Sequence, residues 1–224
     1  MSTHAPSSTL NSIPDAPATS HVTVTEDGLY DDSSGEVIDS IWIPAKLAAE
    51  KIAHLIKRIG PHKCHVGIDA PRKPLRKLRT LCFSKGSWKK CDGRRGRHCE
   101  LVIKTLGLGN PQWTPLFPDA PEWMKLGFDL FKAIDETGAK TYEVFPTASY
   151  KLLKSSNCAD TVTMPLNDMM PGPKDMLDAI VISFTVLRFF NGLGPDIGGG
   201  DGLGAIVLPE KIDSHPVEDW PSEI

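Results

Sequence analysis

A chain of 224 residues, 40% of them hydrophobic, is long enough to bury one domain-sized core, which excludes a wholly disordered polymer. Its longest apolar run, AIVISFTVLRFF (179–190), is broken by Thr185 and Arg188 and falls short of the roughly 18 residues of a membrane helix. Five irregularly spaced cysteines in a chain this long argue against a disulfide framework and lead us to expect reduced thiols, and the net charge of −3 rules out a uniformly basic protein.

The first 20 residues, rich in Ser, Thr, Pro and Ala, carry neither a basic start nor an apolar stretch of the secretory kind. They are expected to be a disordered tail of a soluble intracellular protein, cytoplasmic or nuclear. Residues 21–212 are expected to form one domain. HVTVTEDGLYDDSSGEVIDSIWIP (21–44) reads as one or two strands, with EDG and SSG as turns. AKLAAEKIAHLIKRIG (45–60) is an amphipathic helix that Gly60 stops. CHVGIDA (64–70) is a short strand that Pro71 ends.

The charge then turns. Between Arg72 and Lys104 stand twelve Lys/Arg against Asp92 and Glu100, so 33 residues carry +10 while the rest of the chain carries −13. Such a block marks either a phosphate-rich partner or a solvated loop. Its Gly, Ser and Trp content predicts an irregular insertion over 72–97 with a possible helix. RGRHCELVIKTLGLG (95–109) is a loop entering a helix, and NPQWTPLFPDAP (110–121) a proline-rich loop. EWMKLGFDLFKAIDETG (122–138) is a helix with Trp123, Met124, Gly127, Phe128, Phe131 and Ile134 on its apolar face. KTYEVFP (140–146) is a strand, and TASYKLLKSS (147–156) a short helix capped by Thr147. PGPKDMLDAIVISFTVLRFFNG (171–192) is a strong helix. GPDIGGGDGLGAIVLPE (194–210) gives a flexible glycine loop and a last strand, and the acidic tail 213–224 is expected to be loose. The order of elements predicts an α/β fold with a mixed sheet flanked by helices.

Several acids stand where a core carboxylate is unusual. Asp69 closes the strand HVGID, Glu143 lies inside TYEVFP, and Asp175 and Asp178 share a face at the start of a helix. Glu100 follows Arg97 by three residues in RHCE. In an open α/β sheet ligands gather beyond the carboxyl ends of the strands, where such acids can meet. Clustered carboxylates are neutralised by divalent metal, and two such ions about 3.5–4 Å apart can clamp a phosphodiester. Each acid also has a plain reading: a turn residue for Asp69, a cap for Asp175, and a solvent-facing strand position for Glu143.

The segments VGIDAPR, RGRHCE, YEVFPTASYKLL, KDMLDAIVIS and GAIVLP, in this order over about residues 64–209, resemble a domain-of-unknown-function family of predicted nucleases. The resemblance implies a ribonuclease H-like fold and a metal-dependent acidic site for phosphodiester cleavage. By motif, Asp69 takes the strand carboxylate, Glu143 the second strand acid and Asp178 the helix acid. Arg97 and Glu100 fall on the family's Arg-x-Cys-Glu motif. Members usually open on a strand with a Val-Asp-Gly-type aspartate. Nothing in residues 1–45 matches it, and Asp39 in EVIDSIWIP is the nearest shape.

Other motifs are weaker. Cys82, Cys91, His98 and Cys99 lack the paired spacing of a zinc site, and GGGDGLG (198–204) lacks the Gly-Lys-Ser/Thr ending of a phosphate loop. Trp88, set among Lys85, Lys89, Lys90, Arg94 and Arg95, either stacks on a base or pins its loop to the core. Two functions are therefore expected to compete. One is a nuclease in which Asp69, Glu143 and Asp178, assisted by Asp175 and Glu100, hold Mg²⁺ or Mn²⁺. Its three main carboxylates would lie within about 8 Å of one another, since each metal–oxygen bond is roughly 2.0–2.6 Å. Arg72, Lys73, Arg76, Lys77, Arg94, Arg95 and Arg97 would then hold the nucleic acid backbone, away from any membrane. The other is a non-catalytic module of the same fold that binds nucleic acid, or another phosphorylated or acidic partner, through the basic segment.

Overall fold

The computed structural model describes residues 19–20, 43–155 and 174–221, with side chains described over 43–154 and 177–221. Most of the expected early strands, and Asp39, lie outside these residues. Thr19–Ser20, at the end of the segment expected to be a disordered tail, form a two-residue strand β1 that pairs antiparallel with β2 (Ile43–Pro44).

The central sheet has four strands in the order β3–β6–β8–β7, where β3 is His65–Ile68, β6 Lys140–Val144, β7 Asp196–Ile197 and β8 Ile206–Val207. The β3–β6 and β6–β8 pairs are parallel, and β7 runs antiparallel to β8. The expected α/β architecture with a mixed sheet is therefore present. A parallel strand covered on both faces must be apolar throughout, and Val66, Gly67 and Ile68 are all buried.

On one face, helices α1 (Ala45–Ile59) and α3 (Glu122–Asp135) close over the sheet. Ile52 and Ile56 of α1 and Phe131 and Ile134 of α3 share a core with Val66 and Ile68. Each fully buried side chain of this size contributes about 1.5–3 kcal/mol. Helix α2 (His98–Thr105) extends this layer toward β7 and β8, where Cys99, Val102 and Ile103 meet Ile197 and Ile206. On the other face lies α5 (Lys174–Phe190), whose Ile182 and Val186 pack on Val144 and Val207. Helix α4 (Pro146–Ser155) leans on α5 through Leu153 against Val181, and the Thr185 hydroxyl donates to Ser149 Oγ at 2.9 Å. Among the described residues no helix is long and apolar enough to cross a membrane.

Four expectations change. The basic insertion is a two-stranded antiparallel hairpin without a helix, β4 (Arg79–Ser84) and β5 (Ser87–Arg94). Lys85 and Gly86 at its tip both take positive φ, which closes the turn. The thiols are not all reduced: Cys82 and Cys91 form a disulfide across the hairpin, with Cα atoms 6.0 Å apart. Strand pairing brings together two cysteines that their nine-residue separation does not single out. Helix α4 starts at Pro146, so Thr147 lies inside it and Pro occupies the first position, where a missing N–H costs nothing. The C-terminal segment is docked as far as it is described: Val217 is fully buried and Trp220 packs on Trp88 with ring centroids 5.1 Å apart.

Candidate functional site

Glu143 and Arg97 form the centre of a buried polar cluster. Glu143 sits one residue from the end of β6, in register with Ile68 and Ile206, and therefore faces the α2–α3 layer. Arg97 stands immediately before α2. The two are 4% and 1% exposed. Arg97 Nη1 donates to Glu143 Oε2 at 2.7 Å, Nη2 donates to Oε1, and the Arg72 backbone N–H adds a bond to Oε2 at 2.9 Å. Arg97 Nε donates to Glu100 Oε1 at 3.0 Å. Glu100, 2% exposed, also accepts from the backbone N–H groups of Arg97 at 3.1 Å and Thr114 at 2.9 Å, and from the Thr114 hydroxyl. Glu100 thereby satisfies the orphan N–H of Arg97 at the start of α2, the work of the acid in a capping box, and ties that start to the loop at Thr114.

Charge in this cluster is held by pairing. Burial pushes the Glu143 carboxyl above its ordinary value, opposed by the Arg97 guanidinium. Burial acts to lower Arg97 too, yet the surrounding acidic groups outweigh it and hold the guanidinium charged well beyond its usual range. Cys99, wholly buried beside it, has its thiol pushed well up by burial, which leaves no nucleophile there.

The two strand acids part company. Tyr142 and Val144 face α5, while Glu143 between them faces the other way. Asp69 stands one position beyond Ile68, in line with Val144, and is exposed. Helix α5 runs opposite to β3: Phe190 at its end packs on His65 at 4.6 Å, and Ile182 and Val186 lie over Gly67. Continuing that stripe by one turn brings Asp178 to the end of β3, on the same side as Asp69. Asp178 is buried and hydrogen-bonded to the Tyr150 hydroxyl, whose pKa is raised by burial and then by this carboxylate. The Asp175 side chain lies outside the described residues.

This arrangement does not fit the metal set read from the sequence. Both oxygens of Glu143 and of Glu100 already accept from protein donors, and a guanidinium neutralises them. Among the described residues no group of three or more His, Cys, Asp or Glu could hold a metal ion. Asp69, Glu143 and Asp178 therefore do not form such a group, and Glu143, in register with Ile68, lies on the face opposite to the next position along the sheet.

The basic segment divides in two. Arg97 is sealed in the core and cannot reach a phosphate in this conformation. Arg79 is tied inward to the Gly96 carbonyl at 3.1 Å, and Arg72 pairs with Asp135 at 2.8 Å while lying over the Phe131 ring. Lys73, Arg76, Lys77, Lys85, Lys89, Lys90, Arg94 and Arg95 are all exposed. Trp88 takes the pinning role: it meets Phe83, His98 and Trp220 with ring centroids 5.1–5.6 Å apart, fastening the hairpin to the body.

Sequence reasoning passed over several partners. Thr114 and Phe117 lie in the proline-rich loop, and Tyr150 is one more polar residue in a short helix. The glycine loop is held rather than free: Asp201 Oδ2 accepts from the His98 backbone N–H at 2.7 Å, and the Gly200 N–H donates to His98 Nδ1 at 3.1 Å. The signal for Asp201 was a lone acid inside a glycine run, a common sign of a side chain that captures backbone donors. An open cleft of about 520 Å³ lies between Arg72, Lys73 and Pro74 on one side and Phe128, Phe131, Lys132, Asp135 and Glu136 of α3 and its end on the other. No family model, no curated protein and no solved structure matches this chain.

Proposed function

We propose that this chain is a nucleic-acid-binding protein on a ribonuclease H-like α/β frame, which takes the phosphate backbone on the exposed cations of residues 73–95. The observation that carries this reading is the division of labour within the basic segment. Arg72, Arg79 and Arg97 are engaged by internal acceptors, whereas Lys85, Lys89, Lys90 and Arg94 lie exposed on a hairpin that a disulfide and Trp88 hold in shape, with Lys73, Arg76 and Lys77 exposed just before it. A wall of exposed cations on a fixed support suits a polyanion and supplies affinity without sequence preference.

Fluorescence anisotropy with a labelled oligonucleotide between 50 and 200 mM salt tests it. With six or more phosphate contacts, affinity falls on the order of a thousandfold across that range. Reversing Lys85, Lys89 and Lys90 to Glu is expected to abolish binding. A salt-insensitive affinity, or no binding, removes the reading.

A second reading, metal-dependent phosphodiester cleavage, is favoured by one observation: α5 runs opposite to β3, so Asp178 and Asp69 reach the same end of the same sheet face. Mg²⁺ or Mn²⁺ is the cation class that two carboxylates beside a phosphate would take. The check is a cleavage assay with Mn²⁺ on mixed nucleic acids, wild type against Asp178→Asn and Asp69→Asn. Cleavage that both variants lose supports it. No cleavage by the wild type leaves the binding module alone.

A further inference from the structure

Resting on the nucleic-acid-binding reading, we infer that the chain prefers single-stranded nucleic acid, with an unpaired base stacked on Phe117 beside the Arg72–Lys132 cleft. Phe117 is 51% exposed, the most exposed of the large apolar side chains among the described residues. It opens a single 3₁₀ turn, residues 117–119, between Pro115 and Pro118, so its backbone is stiff and its ring is presented rather than folded away. Its ring lies 6.2 Å from Phe128, which lines the cleft, and so continues the cleft's apolar floor to the surface.

The surroundings of this ring are cationic. Leu75 and Leu116 form a parallel bridge, tied by the Leu75 N–H to the Pro115 carbonyl at 3.0 Å. The next residues outward, Arg76 and Phe117, therefore leave the bridge side by side. Arg95 reaches the same turn through Asp119 at 3.4 Å. Lys73 and Lys132 line the cleft, and Asp135, one of its two acids, is already held by Arg72. An aromatic platform flanked by cations on an open cleft fits alternating bases and phosphates. In a duplex the base faces are already stacked and offer no free surface. Trp88 cannot serve as this platform, because Phe83, His98 and Trp220 cover it.

The experiment compares oligothymidylate, oligouridylate and a DNA duplex of equal length by anisotropy at fixed salt, with wild type, Phe117→Ala and Phe117→Trp. The expected result is tighter binding of the unpaired strands. Phe117→Ala should weaken that binding about 5- to 100-fold, leave the duplex unchanged and leave the salt slope intact, and Phe117→Trp should retain the affinity. The two unpaired strands separate DNA from RNA as the source of the base. Thermal melting of Phe117→Ala should match the wild type, since the ring is half in water. Equal affinity for unpaired and paired strands, unmoved by Phe117→Ala but lost on reversing Lys85, Lys89 and Lys90, overturns the stacking and keeps backbone binding. Binding of none of the three overturns both. A concentration-dependent dimer that Phe117→Ala abolishes, with oligonucleotide binding unchanged, also overturns it by assigning the ring to self-association.

Discussion

Arg97 grips Glu143 with both arms of its guanidinium across 46 residues of sequence, and neither side chain sees appreciable water. This one contact ties the start of α2 to the end of β6. It occupies the carboxylate that the sequence pattern assigns to a metal. A buried ion pair adds little beyond a well-packed apolar replacement, but removing one member strands a charge in the core.

Arg97→Met should accordingly lower stability by about 3–5 kcal/mol, because Glu143 and Glu100 lose their counter-charge together. Joining it to Glu143→Gln should recover part of the loss. Urea unfolding of the two variants against the wild type measures both, and a change below about 0.5 kcal/mol in the single variant would show that the cluster does not hold the fold.

His98 predicts an acid transition. Its Nδ1 accepts the Gly200 N–H, so the proton of the neutral ring sits on Nε2 and is donated to the Val217 carbonyl at 2.7 Å. Burial lowers its pKa from the ordinary 6.5, against the opposing pull of the Val217 carbonyl and Asp201. A depressed folded value favours the fold while the ring is neutral. Stability should therefore be level above about pH 6.5 and fall as pH drops below it toward the folded value. His98→Gln should flatten this window and cost about 1–3 kcal/mol at neutral pH by leaving buried groups unpaired. A wild-type melting temperature that stays constant from pH 7 to 5 would contradict the assignment.

Gly67 sets how closely α5 lies on β3. A Cβ there would stand 2.3 Å from Ile182 Cγ2 and 2.9 Å from Val186 Cγ2. Gly67→Ala should push the helix outward, cost about 1–3 kcal/mol and disturb the placement of Asp178 relative to Asp69. Thermal melting reads the first effect. A variant as stable as the wild type would mean that the helix does not rest on this glycine.

The local layer of this molecule was legible from sequence. The apolar stripe of 45–59, the run HVGI and the spacing of Met124, Phe128 and Phe131 each settle an element, because periodicity is a property of neighbouring residues. The hairpin was not legible. Its Lys-rich strands alternate weakly, and its Cys82–Cys91 bond follows from pairing register rather than spacing. The acidic tail read as loose for a similar reason: the burial of Val217, the His98 bond to its carbonyl and the ring contacts of Trp220 with Trp88 and His98 all join it to segments distant in the chain.

For the site, residue types alone determined that acids stand at or near strand ends, that a basic block follows Pro71, and that Arg97 and Glu100 belong to one helix start. Tertiary structure decided which acids meet. Strand alternation sends Glu143 to one face, where Arg97 neutralises it, and places Asp69 in line with the other. The direction of α5 then brings Asp178 to the end of the sheet where Asp69 lies. Side-chain direction depends on register and helix orientation, and both are set by packing between segments distant in the chain. Exposure followed the same rule: it placed Trp88 among aromatic neighbours and left Phe117 at the surface.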